Sequence, residues 1–315
     1  MKTLKTAVIG VGYLGSFHAQ KHSALENVEL IGVCDSSEAR AKEIASNLKT
    51  EAYTDYKALL GKVDAVTIAS ATQTHYEIAK FFLENNTHVF VEKPISSSLE
   101  EAEELCKLAD DNKLILQVGH IERFNPSLQA VKEKLKAKPL FIEVHRLAPF
   151  KVRATDVDVV LDLMIHDLDV ILSLVGSEVK SVQAAGVPVL TGGVDIANAR
   201  LEFESGTIAN VTASRVSKNG QRKFRVFQEN QYLSIDFGNA EVSLTTKTGD
   251  LVEGEDLPIE YDQRSLEKGD ALLLETESFV SSVLNSTPPL VSGHDGRKAL
   301  QLAEEISRLA NARRD

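Results

Sequence analysis

Gly10-Val11-Gly12-Tyr13-Leu14-Gly15 follows an apolar run, Ala7-Val8-Ile9, that reads as a short buried strand. The same stretch opens a segment with Leu14, Phe17 and Leu25 on one helical face. A second apolar run, Val28 to Cys34, ends in Asp35, twenty residues beyond Gly15. Strand, glycine turn, helix, strand and terminal acid together form a dinucleotide-binding arrangement, whereas a bare GxGxxG is more often an ordinary turn. The glycines provide a tight turn, close approach of backbone to pyrophosphate, and close packing of helix on strand. The helix N-terminus then offers free N–H groups and partial positive charge to the phosphates.

Asp35 bears on the choice of cofactor. A carboxylate there accepts hydrogen bonds from both adenosine ribose hydroxyls and repels a 2′-phosphate. Its ordinary alternative is a solvated strand-end acid capping the next helix, which Ser36 or Ser37 could equally do. Arg40 lies close enough in sequence to tolerate a phosphate, so NAD is expected and NADP disfavoured.

The 315 residues suffice for two domains and a large core. With 43% hydrophobic and 26% charged residues, the composition is that of an ordinary globular protein. Apolar stretches are too short for a membrane span, and the chain begins with a strand rather than a signal sequence, so a cytoplasmic setting is expected. Two cysteines, Cys34 and Cys106, are too few for a disulfide framework or a four-thiolate metal site. A formal charge of −11 argues against a general nucleic-acid binder.

Up to about Gly119, strands are expected at 6–10, 28–34, 64–70, 88–92 and 114–119, with helices near 14–25, 37–48, 74–86 and 99–112. Near-continuous apolar strands alternating with helices imply a doubly wound parallel sheet, a Rossmann-type α/β domain. Ser98 and Glu101 form a capping box for the fourth helix. After Asn125-Pro126 the pattern changes. A helix at 127–136, a strand at 140–147 and a helix at 159–174 precede strands near 179–186, 195–204, 207–216, 222–228 and 231–247. Two helices, about 267–286 and 295–312, finish the chain, with Arg308, Arg313 and Arg314 toward the C-terminal end of the second. The expected division is residues 1–122 for a cofactor-binding domain and 123–315 for an α+β domain with an open, mostly antiparallel sheet. In that second domain the last helix is free to pack back on the first.

Two constellations carry candidate chemistry. In Val159-Val160-Leu161-Asp162-Leu163-Met164-Ile165-His166-Asp167-Leu168-Asp169, Asp162 and His166 stand one helical step apart on one face. Asp169, and Asp158 if helical, share the sector, and the rest of the circumference is apolar. The strip is an internally satisfied Asp–His pair, a metal site or an acid–base pair. No further His or Cys stands at ligand spacing, so no metal is expected. His166 exchanges a proton near neutral pH and Asp162 can orient it. Glu92-Lys93-Pro94 ends the Val89–Val91 strand at the carboxyl edge, where open α/β sheets take ligands. A lysine there can meet a substrate hydroxyl, although most strand-end lysines are plain surface residues.

Together these residues resemble the glucose–fructose oxidoreductase/inositol dehydrogenase (Gfo/Idh/MocA) family over essentially the whole chain. The resemblance rests on Gly10–Gly15, Ile68-Ala69-Ser70-Ala71-Thr72 with His75, Glu92-Lys93-Pro94, and Val118-Gly119 leading to Arg123-Phe124. Asp162 with His166 and the closing Ser292-Gly293…Asp295-Gly296-Arg297 segment extend it. It implies an NAD-dependent dehydrogenase acting on a secondary alcohol, with cofactor-binding residues Gly10, Gly12, Tyr13, Leu14, Gly15, Asp35, Ser70, Thr72, His75, Glu92 and Lys93. It also implies catalytic Lys93, Asp162 and His166, substrate contacts from those three and Arg123, and a homodimer or homotetramer. Either Lys93 or His166 takes the hydroxyl proton, with His166 favoured. Ala71 replaces the proline usual in the family, and Asp158-Val159-Val160-Leu161 stands where a glycine run is common.

Gly119-His120-Ile121-Glu122-Arg123-Phe124-Asn125-Pro126 and Asp156-Val157-Asp158 resemble a bacterial branch of the family that includes UDP-N-acetylglucosamine 3-dehydrogenases. His120 and Glu122 are equally read as structural. Arg123, Arg146, Lys151 and Arg153 are candidates to meet a diphosphate. The alternatives are an inositol or free-sugar dehydrogenase, an enzyme using tightly held NAD for a net non-redox step, and a non-catalytic NAD-bound sensor. A sensor would need none of Lys93, Asp162 and His166.

Overall fold

The structure, a computed structural model, describes residues 3–312 apart from 133, 136, 152–156 and 255. Arg153, Asp156, Arg313 and Arg314 therefore lie outside the described residues. The first sheet contains β1 (Leu4–Ile9), β2 (Val28–Cys34), β3 (Glu51–Tyr53), β4 (Ala65–Ile68), β5 (His88–Glu92) and β6 (Leu116–Gly119). Every pair is parallel, in the spatial order β3-β2-β1-β4-β5-β6. Helices α1 (Tyr13–Ala24), α2 (Glu38–Leu48), α3 (His75–Glu84) and α4 (Leu99–Asp111) join successive strands, with a 3₁₀ turn at Tyr56–Leu59 between β3 and β4. β3 was not expected: Glu51-Ala52-Tyr53 has no apolar run, and it forms by pairing with Gly32–Cys34 at the sheet edge.

The strand order reverses between β1 and β4, and the register is level there. Ile9 pairs with both Cys34 and Ile68, Ile68 with Val91, and Val91 with Val118. Gly10, Asp35, Ser70, Lys93 and His120 consequently leave the sheet along one carboxyl edge, the crevice where such sheets take ligands.

One expectation fails on α1. Of Leu14, Phe17 and Leu25, Leu25 packs against the core around Leu4 and Phe90, but Leu14 and Phe17 do not face the core; they are 40% and 37% exposed. Gly15, Ser16, His18, Ala19 and His22 are buried instead. Gly15 sets this rotation, because its Cα side rests on the Gly10 carbonyl and leaves no room for a larger residue.

The second sheet follows α5 (Pro126–Lys132). It contains β7 (Phe141–Leu147), β8 (Val179–Val187), β9 (Ile196–Phe203), β10 (Ile208–Ser214), β11 (Gln221–Gln228), β12 (Gln231–Asp236), β13 (Glu241–Lys247) and β14 (Ile259–Ser265), with α6 (Ile165–Val175) between β7 and β8. Its order is β14-β13-β12-β11-β7-β10-β9-β8, antiparallel throughout except for the parallel β7–β10 pair. Alternation packs Ile142, Val144, Leu201, Val211, Phe224, Val226, Leu233 and Ile235 into one core. The single strand expected over 231–247 is two. Asp236 Oδ1 accepts from the Gly238 and Asn239 amides, and Ala240 takes a left-handed φ of 56°, which turns the chain. The edge strand β14 went unforeseen because its residues are largely polar and exposed.

The chain forms two compact units, residues 1–124 with 270–300, and residues 125–269 with 301–315. Residues 270–300 thus group with the first unit, although they were expected in the second domain. They hold α7 (Ala271–Asn285) and the start of α8 (Gly293–Ala312). Phe279 and Val280 of α7 pack with Leu4, Ala65 and Phe90, so the first unit needs a segment distant in sequence to close its core. Phe279→Ala is expected to cost about 3–5 kcal/mol by leaving a cavity there, checked as a fall in the melting temperature.

Candidate active site

The glycine turn is built for close approach. Gly10 has φ +80°, and a Cβ on it would stand 2.5 Å from the Ser70 backbone. Gly12 precedes α1 with no side-chain cap, the first turn holds no acidic residue, and a Cβ on Gly12 would meet nothing within 4 Å. An uncapped, uncharged helix start opening onto free space fits a pyrophosphate.

Asp35 stands beside that turn. Its Oδ2 accepts from the Val11 amide at 3.0 Å and its Oδ1 from the Ser37 amide at 2.9 Å. Ser37, not Asp35, caps α2, accepting from the Arg40 amide. Arg40 is not poised for a phosphate. Its Nε donates to the Val11 carbonyl at 2.7 Å, one terminal nitrogen to the Gly12 carbonyl at 3.2 Å and the other to Glu43 at 2.8 Å. Asp35→Ala is therefore expected to weaken NAD binding about 10–100-fold without creating NADP affinity, since Arg40 stays committed; fluorescence titration with both dinucleotides checks this.

On the next loop, Ser70 Oγ and Thr74 Oγ1 lie 2.7 Å apart, and Thr72 is half-buried in the 3₁₀ turn Thr72–Thr74. His75 is buried and turned inward, with Nδ1 2.9 Å from the Pro94 carbonyl and Nε2 3.1 Å from the Ser70 carbonyl. Burial lowers its pKa, so the ring is neutral and its single N–H donates to one of these two carbonyls, tying His75 to the Ser70 turn or to the loop after Lys93. Ser98 caps α4 as expected, accepting from the Glu101 amide, but Glu101 reaches back to the Ser97 amide.

Glu92 is buried and Lys93 half-buried at the end of β5. Glu92 Oε1 lies 2.7 Å from His18 Nε2. Its carboxylate occupies the space beside Gly119, where a Cβ would come within 2.7 Å of Oε2. His18 escaped the sequence reading. The signal was present, since 15, 18, 19 and 22 trace the helix face that Gly15 places on the sheet. Beyond β6, His120 is 1% exposed, and neither ring nitrogen has a hydrogen-bond partner among the described residues. Burial, then the charges of Lys93 and Arg123, hold it down to about 3. Arg123, 12% exposed at its side chain, lies 3.4 Å from Asp295.

Asp162 and His166 belong to the second unit. A π turn at Val160–Met164 precedes α6 rather than plain α-helix, with the Ile165 amide bonded to the Val160 carbonyl. Such turns recur at functional sites. Both side chains are half-buried, and His166 Nδ1 is buried. Asp158 does not join them: its Oδ1 caps the turn, accepting from the Val160 and Leu161 amides. Asp169 is buried in α6. Arg146 is buried too, in a fork-like pair with Asp167 at 2.6 and 2.9 Å, so its guanidinium is occupied within the fold rather than offered to a diphosphate. Lys151 is exposed. Among the described residues no group of three or more potential ligands could hold a metal ion, and no helix is long and apolar enough to cross a membrane. Burial pushes the Cys34 and Cys106 thiols up to about 12, which leaves both as packing residues.

The reversed parallel sheet, the uncapped glycine turn and Asp35 define a dinucleotide-binding protein. Comparison with known proteins gives the family. Residues 4–120 match the oxidoreductase family with an NAD-binding Rossmann fold, and residues 144–234 match the GFO/IDH/MocA C-terminal domain. The chain is 39% identical over 304 residues to UDP-N-acetylglucosamine 3-dehydrogenase of Acidithiobacillus ferrooxidans, covering 96% of each. It is 29% identical to myo-inositol 2-dehydrogenase of Thermotoga maritima, over 95% of this chain and 94% of that protein. A solved structure of the Acidithiobacillus ferrooxidans enzyme superposes with a TM-score of 0.93 at 38% identity over 99% of each chain. The chain belongs to the GFO/IDH/MocA family and is an NAD-dependent oxidoreductase acting on CH–OH groups.

Proposed function

We propose that this protein oxidises the C3 secondary alcohol of UDP-N-acetylglucosamine. The observation that carries the substrate is the whole-length identity of 39% to a dehydrogenase of that nucleotide sugar, against 29% to an inositol dehydrogenase. Asp35 holds the adenosine ribose, the amides at Gly12–Leu14 face the pyrophosphate, and Ser70, Thr72 and the Glu92–Lys93 turn border the nicotinamide end. Bound NAD supplies the hydride acceptor. Lys93 donates a hydrogen bond to the substrate oxygen and stabilises its developing charge. His166 takes the hydroxyl proton, and Asp162 on the same helical face stabilises its cation. Arg123, with the exposed Lys151, meets the diphosphate. A homodimer or homotetramer in the cytoplasm completes the reading.

The test is absorbance at 340 nm with NAD and a panel of UDP-sugars, free sugars and inositols, with a carbonyl trap to draw the equilibrium forward. Reduction with UDP-N-acetylglucosamine alone is expected. Reduction only with inositols or free sugars would keep the chemistry and remove the nucleotide-sugar substrate.

A further inference from the structure

The face that α1 lays on the first sheet carries two histidines, His18 and His22, both 0% exposed. His22 meets Thr67 at 2.8 Å, within the sheet. His18 does something different. It crosses to the residue immediately before Lys93, with Nε2 2.7 Å from Glu92 Oε1, a contact spanning 74 residues of sequence.

Glu92 is held on three sides. His18 Nε2 meets one oxygen, the Lys93 amide donates to the other at 3.2 Å, and Gly119 leaves the volume in which the carboxylate lies. The His18 ring stands edge-on to Phe90, centroids 5.1 Å apart, which fixes its plane. A carboxylate in such surroundings needs a donor, since an unpaired buried charge is far more costly than a paired one. Burial pushes the Glu92 carboxyl up, but the His18 bond and charge, then the Lys93 charge, outweigh it and leave it below its ordinary value. His75 and His120 also feel this carboxylate from α3 and from the end of β6. His18 is the one bonded to it, and His18 Nδ1 is buried with no hydrogen-bond partner among the described residues.

We propose that His18 is a positioning residue for the reaction. By donating from Nε2 to Glu92, it locks the Glu92–Lys93 turn, and so the direction of the Lys93 side chain, to the helix that begins at the glycine turn. The inference rests on the reading that Lys93 serves the reacting hydroxyl. Dinucleotide-facing helix and lysine-bearing strand end then behave as one body. Glutamine, whose amide nitrogen reaches as far as an imidazole Nε2, can replace the bond; leucine cannot.

The experiment compares His18→Leu, His18→Gln and Lys93→Met in the full chain. It reads kcat with UDP-N-acetylglucosamine, NAD affinity by fluorescence, melting temperature, and the imidazole ¹H–¹⁵N spectrum of the wild type, with His18 assigned by its loss in His18→Gln. The expected result is a fall in kcat of about 30-fold in His18→Leu, with NAD affinity within about threefold. Recovery to within about fivefold is expected in His18→Gln, together with a His18 proton on Nε2. Unchanged kcat in His18→Leu would overturn the proposal. So would His18→Gln as impaired as His18→Leu at restored melting temperature, or a His18 ring protonated on Nδ1 alone. If His18→Leu does not fold, the glutamine variant and the wild-type spectrum decide by the same criteria. Inactive Lys93→Met beside fully active His18→Leu removes His18 alone; fully active Lys93→Met removes the lysine reading and this proposal with it.

Discussion

Lys93→Met is expected to lower kcat by about 10³-fold while leaving NAD affinity within about threefold. Methionine keeps most of the stem and removes the ammonium. What is lost is a hydrogen bond and a charge directed at the oxygen as it becomes a carbonyl, and acid–base contributions of this kind are worth about 10²–10⁴-fold. The cofactor's ribose and pyrophosphate are held at Asp35 and the glycine turn, and methionine leaves the Glu92–Lys93 turn in place beside the nicotinamide, so its affinity should barely move. His166→Ala is expected to behave in the same way, since its half-buried ring lies on α6 and not on the first sheet. Stopped turnover with intact NAD binding fits the assigned roles. Parallel loss of turnover and folding would make either residue structural, and an active Lys93→Met would remove the lysine from the mechanism.

Gly15→Ala and Gly12→Ala should part company, although both glycines belong to one motif. A Cβ on Gly15 would stand 1.7 Å from the Gly10 carbonyl oxygen, a backbone atom that cannot step aside. Helix α1 would have to lift from the sheet, carrying Ala19 and the two buried histidines with it. A destabilisation of about 3 kcal/mol or more, roughly 10 °C in melting temperature, is expected with loss of NAD binding. A Cβ on Gly12 meets nothing within 4 Å of protein. Gly12→Ala should therefore melt within about 2 °C of the wild type and lose affinity only where the methyl meets the pyrophosphate. Equal melting temperatures for the two variants would contradict the packing role given to Gly15.

The contrast shows what sequence could and could not convey. Gly10–Gly15, the apolar strands and Asp35 were legible because their spacing follows from the chemistry of holding a dinucleotide. The orientation of α1 was not. Apolar periodicity pointed to Leu14 and Phe17, but the Gly10–Gly15 contact turned a polar face inward, and a polar face is buried only where partners such as Glu92 and Thr67 await it. Strand β3 and edge strand β14 were invisible for a related reason: both form by pairing with a neighbour rather than by burying an apolar run. Residues 270–300 joined the first unit through Phe279 and Val280, a contact no local pattern announces. Among the basic residues, type and position could not reveal that Arg146 and Arg40 are already spent on Asp167 and on backbone carbonyls.

The most direct test supplies UDP-N-acetylglucosamine deuterated at C3 with NAD, and follows both 340 nm absorbance and the mass of the reduced nicotinamide. Reduction with deuterium carried into the cofactor is the predicted result. Reduction without deuterium would place the oxidised carbon elsewhere on the sugar. No reduction, with NAD bound and other alcohols in the panel turned over, would contradict the nucleotide-sugar substrate itself.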